Sequence, residues 1–363
     1  MKEEKKNSKF IGIVVLAIFL GILLGIGIVV LKNKEAMQEQ TADLQEKEES
    51  QEIRDNMAKE DMSIPNRDQL VEKWQEGVIS YNGVSYQYNH GLQTYLYLGI
   101  DKEGKVQKAS DAVSGGQSDA LLLLVIDPEK EKMSVIAIHR NTMTDVDVYD
   151  KDGTFKGTYR LQICLQHGYG DGMKISASRS VEAVKNLFYQ VQIDGYLAMN
   201  MGAVPILNDA LGGITIYPKE NMTIAKTNKL ITADTPVKLT GEEAYEYVRS
   251  RDVEEFDSAT NRLERQIVYL KGLDQTLSEL GTQKENTLMK VYEQIQDYVV
   301  SNIELAEFVE KISACDPQKT QFYTLEGTTT MGETYEEYNV DEKALYELIL
   351  EVFYKKVPES VSE

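Results

Sequence analysis

Two apolar runs, Ala120–Ile126 and Met133–Ile138 (the latter broken only by Ser134), flank a polar turn, DPEKE at 127–131. Runs of this length that are apolar at nearly every position, not every second one, read as strands buried on both faces. They predict an antiparallel hairpin. With the turn centred near Glu129–Lys130, paired residues sum to about 259, which sets Asp119 beside Arg140. Thr94–Ile100 is a further strand candidate, ending at Asp101. If it lies in the same sheet, parallel to Met133–Ile138, Asp101 arrives at that same end. Carboxyl ends of strands in open α/β sheets are where ligands bind. Two readings of this end stay open. One is an Asp119–Arg140 ion pair capping the hairpin; the other is a carboxylate pair for a hard divalent cation, with arginine opposite for a phosphate.

A second feature stands out against a formal net charge of −20. The stretch GEEAYEYVRSRDVEEFDSATNRLERQ (241–266) holds Arg249, Arg251, Arg262 and Arg265. A guanidinium is always charged, and its planar fork of donors suits phosphate oxygens held two at a time. Thr240 with Glu243 reads as a capping box opening a short helix through Tyr247. If the chain beyond is extended, Arg249 and Arg251 point to one side. A second helix begins near Thr260 and puts Arg262 and Gln266, at i and i+4, on a shared face. The simpler reading makes these arginines surface partners of Asp252, Glu254, Glu255 and Asp257.

Residues Phe10–Leu31 form an apolar run of 22, enough to cross a bilayer as a helix. Lys2, Lys5, Lys6 and Lys9 precede it, which predicts a cytoplasmic N-terminus with everything after residue 34 outside. The run is too long for a usual signal-peptide core and no A-x-A-like site follows, so it reads as an uncleaved, single-pass anchor. Residues 32–68 read as a polar helical stalk. An accessory segment follows over 69–91, helix-like near Gln69–Val78 and then a hairpin around Asn82-Gly83. The main domain is expected over 92–355, with a tail at 356–363. Setting the basic N-terminus aside leaves about −24 on the remainder. No basic stripe of the size a nucleic acid requires is present, so nucleic acid is not an expected partner. Cys164, among apolar residues, reads as a small buried side chain, although pairing with Cys315 stays open. Nor do His90, His139 and His167 suggest a metal site.

Thr154–Gln166, which contains Arg160, reads as amphipathic and irregular. A helix is predicted over Ser176–Gln190, and strands over Gly195–Asn200 and Ile214–Pro218 flank a helix over Val204–Leu211. Further helices are predicted at Arg262–Leu280, Thr287–Val300 and Ile303–Ala314, with a last strand at Thr320–Leu325 and a last helix at Asp341–Tyr354. This alternation implies an α/β fold, an α-β-α sandwich around a mixed sheet.

YLGID (97–101), Ser118-Asp119 before LLLLVID, IHRNT (138–142), Arg160-Leu-Gln, NDALGGITI (208–216) and GEEAYEYVRSR…NRLERQ (241–266) together resemble the LytR-CpsA-Psr family over about residues 92–272. The resemblance implies a membrane-anchored extracellular phosphotransferase. Such an enzyme moves a glycopolymer, for example teichoic acid or capsule, from an undecaprenyl-pyrophosphate carrier to peptidoglycan. It implies an apolar interior for the polyprenyl chain and Mg²⁺ at Asp101 and Asp119. It places Arg140, Arg160, Arg249, Arg251, Arg262 and Gln266 around the pyrophosphate, and Arg140 and Arg249 in the chemistry. Arg160 falls where the family usually has lysine. The chain departs from the pattern at Gln117 (usually Arg), at His139 and Asn141 (I-P-R-D in the family), and at Asn261 (usually Gly). It departs also at Ala259, where a carboxylate is expected. Asp257 is the candidate to replace that carboxylate if a longer loop repositions it. Two other activities remain open for such a site: binding of polyprenyl phosphate or wall polymer without catalysis, and hydrolysis of the pyrophosphate.

Overall fold

The computed structural model describes residues 78–252, 255–279, 284–303, 315 and 319–357. The expected anchor, stalk and helix-like segment before Val78 lie outside these residues, as does most of the Ile303–Ala314 helix. Among the described residues no helix is long and apolar enough to cross a membrane. In chain order, β1 (Val78–Tyr81) and β2 (Val84–Tyr88) form a hairpin, and β3 (Gln93–Ile100), β4 (Ser118–Asp127) and β5 (Lys132–Ile138) follow. A second hairpin, β6 (Met143–Tyr149) and β7 (Phe155–Gln162), precedes helix α1 (Lys174–Leu187), strand β8 (Gly195–Asn200) and helix α2 (Ala203–Ala210). Short strands β9 (Ile214–Ile216), β10 (Met222–Ile224), β11 (Lys229–Ile231) and β12 (Val237–Leu239) lead to helices α3 (Gly241–Arg249), α4 (Ser258–Glu279) and α5 (Lys284–Ile295). The chain continues through β13 (Val299–Ser301), β14 (Gln321–Thr324), β15 (Gly327–Met331), β16 (Glu336–Val340), α6 (Glu342–Phe353) and β17 (Tyr354–Lys356).

The central sheet has the order β13-β8-β3-β4-β5-β14 and is mixed. Its middle is the expected hairpin: Leu121 pairs with Ile138 and Leu124 with Val135, the predicted register. Because side chains alternate along a strand, one face carries Leu96, Leu98, Leu121, Leu123, Ile136 and Ile138 against α1 and α6. The other carries Tyr95, Tyr97, Leu122, Leu124, Val135 and Ala137 against α2, α3, α4 and α5. Helices on both faces make the α-β-α sandwich.

Three expectations are corrected. Phe155–Gln162 is a regular strand with partly exposed residues, because its partner β6 supplies the pairing that its own pattern does not reveal. Gln321–Thr324 is not the last strand, since β15, β16 and β17 follow; Val78 opens β1. The expected strand at Ile214 is present as Ile214–Ile216, paired with β12 outside the central sheet. The Asn82-Gly83 turn has both residues at positive φ, as a two-residue hairpin requires. Beyond the central sheet, β2 also pairs with β17 in a three-stranded sheet.

Candidate functional site

The site is built where β3 and β5 end and β4 begins. The register that aligns Leu121 with Ile138 brings Asp119 to Arg140, whose Nε donates to Asp119 Oδ1 at 2.7 Å. From across the fold, Arg262 in the first turns of α4 donates through Nη1 to Asp119 Oδ2 at 2.8 Å. One carboxylate thus aligns two cations. All three side chains are largely withdrawn from water, at 13%, 11% and 7% exposure. Truncating Asp119 leaves two buried guanidiniums without their counter-charge, a cost of roughly 3–5 kcal/mol. Arg262 is held down in pKa by its burial, and its Nη2 is buried without a hydrogen-bond partner. Arg140 further donates to Asn141 Oδ1 at 2.9 Å and to Gln117 Oε1. The glutamine at 117 therefore serves as an acceptor for Arg140 where the family pattern would add another cation.

Asp101 follows β3 directly and is exposed. Its Oδ1 accepts from Gln117 N at 2.7 Å. Burial of part of the carboxyl raises its pKa; the Gln117 amide opposes this, and the charge of Asp119 adds to it. Gly116 makes the close turn possible. Its φ is +89°, and a Cβ there would meet Asp101 Oδ1 at 2.9 Å. No group of three or more His, Cys, Asp or Glu side chains gathers for a metal among the described residues. Asp101 and Asp119 lie near enough for their charges to interact, and Mg²⁺ commonly takes one or two carboxylates and completes its shell with water and substrate phosphates.

Beside this charged group lies an apolar pocket, partly open to solvent. Asp119 and Gln266 lie on its wall together with Tyr97, Gly99, Ala120, Leu122 and residues of α2 and α4. Gln266 is one turn beyond Arg262 and donates to Val248 O at 3.3 Å. A charged cluster that shares Asp119 with an apolar pocket suits a ligand with an anionic head and a hydrocarbon tail.

The remaining candidates are placed differently. Arg249 is the last residue of α3, not part of an extended segment, because the helix runs two residues beyond Tyr247. It is exposed and lies 5.5 Å from the Tyr245 ring. The capping box of Thr240 and Glu243 is present as predicted. Arg251 is half-buried, close enough for its charge to act on His139 and Arg262. Arg160 is exposed on the β6–β7 hairpin, paired in register with Asp145. Arg265, buried, binds Tyr247 O and Ser250 O and pairs with Glu220, so it staples α4 to the end of α3. For Arg262 and Arg265 the expected pairing with the 252–257 carboxylates gives way to these partners. The two cysteines are buried and not joined in a disulfide; Cys164 lies close enough to Arg140 and Asp119 for their charges to act on it, while burial pushes its thiol up to about 11.

Asp257 precedes α4 with φ +62°. Its Oδ1 accepts from Thr260 Oγ1 at 2.6 Å and Thr329 Oγ1 at 2.5 Å, and its amide donates to Glu336 Oε1 at 2.8 Å. Ala259, where the family pattern has a carboxylate, is 2% exposed. His139, 3% exposed, accepts from Asn141 N through Nδ1 at 3.2 Å, which leaves the proton on Nε2, 3.4 Å from Thr260 Oγ1. Burial pushes its pKa down to about 4, so the ring is neutral near pH 7. Thr329, Glu336 and Tyr338 escape sequence reasoning. They sit on a Thr- and Glu-rich hairpin with no local signal of what it packs against.

A model of the LytR_cpsA_psr family matches residues 30–352. The chain is 30% identical over 155 residues to a polyisoprenyl-teichoic acid–peptidoglycan teichoic acid transferase, TagU, of Halalkalibacterium halodurans, covering 42% of this chain and 45% of that protein. It is 27% identical over 189 residues to the TagU of Enterococcus faecalis, covering 52% and 54%. The match thus spans about half the length of each of these relatives. In fold it is similar to the crystal structure of B. subtilis TagV, with a TM-score of 0.55 and 20% identity over 73% of this chain and 96% of that one. A similar likeness, TM-score 0.51 at 17% identity over 72% of this chain and 90% of the other, extends to TagT bound to LI-WTA.

Proposed function

This chain belongs to the LytR-CpsA-Psr family, and on that premise we propose that it is a membrane-anchored phosphotransferase. In this reading it moves a glycopolymer from an undecaprenyl-pyrophosphate carrier to peptidoglycan outside the cell, with residues 10–31 as the anchor. The observation that carries the reading is Asp119. It aligns Arg140 and Arg262 and also lies on the wall of the apolar cavity. A polyprenyl tail in the cavity leaves its pyrophosphate at the two guanidiniums. Two relatives named as teichoic acid–peptidoglycan transferases support the substrate class.

In phosphoryl transfer the protein mainly positions groups and neutralises charge. Arg140, Arg262 and Gln266 hold the pyrophosphate at the cavity mouth, and Arg249 and Arg251 reach it from the end of α3. Arg160 supplies an outlying cation from the β6–β7 hairpin. Asp101 and Asp119 would hold a Mg²⁺, which when bound spreads the negative charge of the phosphate oxygens. The acceptor hydroxyl attacks the phosphorus that carries the glycan. The bond from that phosphorus to the bridging oxygen breaks, and polyprenyl phosphate departs with the electron pair. Arg140 and Arg249 stabilise that leaving group. The hydroxyl proton passes to Asp257, which takes the place of the carboxylate absent at Ala259. A second reading, retention of the lipid without transfer, is favoured by the burial of Ala259 and by the two hydroxyls already bound to Asp257.

The test gives the full chain, in detergent with Mg²⁺, a labelled polyprenyl-pyrophosphate oligosaccharide and a peptidoglycan fragment. Label covalently on the peptidoglycan, absent with Arg140→Ala, is the expected result. Label retained on protein-bound lipid selects the binder, and free sugar phosphate selects hydrolysis.

A further inference from the structure

The β15–β16 register pairs Thr329 with Tyr338 and Met331 with Glu336. Side chains directly opposite one another in a ladder share a face, so Thr329, Glu336 and Tyr338 project together. That face is docked on the site. Tyr338 stacks on His139 with ring centroids 4.5 Å apart at 24°, and its amide donates to Asn141 O at 2.9 Å. Thr329 reaches Asp257. Glu336 stands between, with each carboxylate oxygen accepting a different hydrogen bond. Oε1 takes the Asp257 amide at 2.8 Å and Oε2 takes Asn141 Nδ2 at 3.4 Å. Gln162 Nε2 holds the Glu336 carbonyl at 2.6 Å from the neighbouring hairpin.

The polarity of this chain of bonds is determined throughout. Asn141 must present its oxygen to Arg140, because a guanidinium only donates. Its amide nitrogen therefore faces Glu336, and the backbone amide of Asp257 faces the other oxygen. Only a group that accepts at both ends closes the circuit, and among side chains that group is an ionised carboxylate. We propose that Glu336 is a positioning residue for the anion site. Through Asn141 it orients the Arg140 guanidinium, and through the Asp257 amide it holds the left-handed turn that sets Asp257 beside it. The proposal rests on the reading of Arg140 as a phosphate-binding group but not on transfer.

Glu336→Gln keeps the shape and spoils the polarity. Its amide nitrogen must face either Asn141 Nδ2 or the Asp257 amide, donor against donor. If Asn141 turns over in response, it presents its own donors to Arg140. The opposite defect, Asn141→Asp, sets two carboxylates against each other. Combined, the two substitutions restore every pairing. The new carboxylate at position 141 accepts from Arg140 and from the new side-chain amide at position 336, whose oxygen accepts from the Asp257 amide. The double variant also carries the same net charge as the original chain.

The experiment is calorimetric titration of inorganic pyrophosphate into the full chain in detergent, with melting temperatures recorded alongside. Glu336→Gln removes a negative charge near an anion site, so a simple field effect raises affinity. Positioning demands the reverse: affinity about tenfold weaker at a melting temperature within a few degrees of the original. It also demands recovery to within about threefold in Glu336→Gln/Asn141→Asp. Unchanged or tighter binding by the single variant overturns the proposal, and so does a loss that the double variant fails to repair. If the single variant does not fold, the double variant decides alone, by binding pyrophosphate within about threefold of the original chain or failing to. A chain that binds pyrophosphate in this pattern yet transfers nothing refutes the proposed reaction and leaves the positioning role standing.

Discussion

The two faces of strands β3 and β4 are made of neighbouring residues and finish in opposite ways. On one face Leu96, Leu98, Leu121 and Leu123 are at most 1% exposed against α1 and α6. On the other, Tyr97, Gly99, Ala120 and Leu122 line an apolar, partly open pocket beneath α2 and α4. Both faces are hydrophobic. The difference is volume: Gly99 and Ala120 stand side by side where the closed face has leucines, and a Cβ on Gly99 would already meet the Ala120 Cβ at 3.0 Å. The filled face is where packing contributes most to stability, and the unfilled face is where the proposed lipid tail would sit.

If that division holds, Leu123→Ala costs about 3–4 kcal/mol of stability, because the closed face cannot collapse around the void. Chemical denaturation measures the loss, and transfer well below the melting temperature stays near its original rate. A comparable loss of transfer at full stability would break the comparison. The next largest effect is on pH and concerns the charged end shared by both faces. Burial pushes His139 and His167 from 6.5 down to about 4. Above pH 6.5 both states are neutral and nothing is gained or lost. Between pH 6.5 and 4 the unfolded chain takes protons that the native one refuses. Stability therefore falls by up to about 3 kcal/mol per histidine, levelling off below pH 4. Denaturation at stepped pH values checks this, and His139→Phe flattens part of the slope.

The cavity face is sharpened by Ala120→Phe, which fills space that already exists. It is expected to change stability by less than about 1.5 kcal/mol while weakening retention of a polyprenyl phosphate about tenfold, roughly 1.4 kcal/mol. Equilibrium binding of a labelled lipid measures the latter. The smallest effect belongs to the rim. Arg160→Ala removes an exposed cation and lowers pyrophosphate affinity by roughly threefold, less as salt is added.

Much of this architecture is legible in the chain. Apolar runs around DPEKE define the central register because burial on both faces leaves no other use for them, and the register leads to the Asp119–Arg140 pair. Thr240 and Glu243 announce α3 because capping is local chemistry. Arg249 is misplaced by the pattern because its helix gains two residues that no cap or glycine marks. Arg262 is legible as a cation with Gln266 on its face, but not as the second partner of Asp119, a contact across the fold. Glu336 is illegible. Its role depends on a hairpin meeting residues 141 and 257 at once, and its own neighbours, Tyr335 and Glu337, look like ordinary surface.

The pairing of β2 with β17 has a consequence for how the protein comes into being. Ribosomes deliver β1 and β2 first, yet the third strand of their sheet comes last, after α6. A two-stranded hairpin is marginal in water, so this corner stays unlatched until translation has passed every other described element. A chain cut short before Tyr354 carries the anion cluster and the cavity walls but leaves Tyr86 and Tyr88 without their strand partner, an open edge for proteases to find.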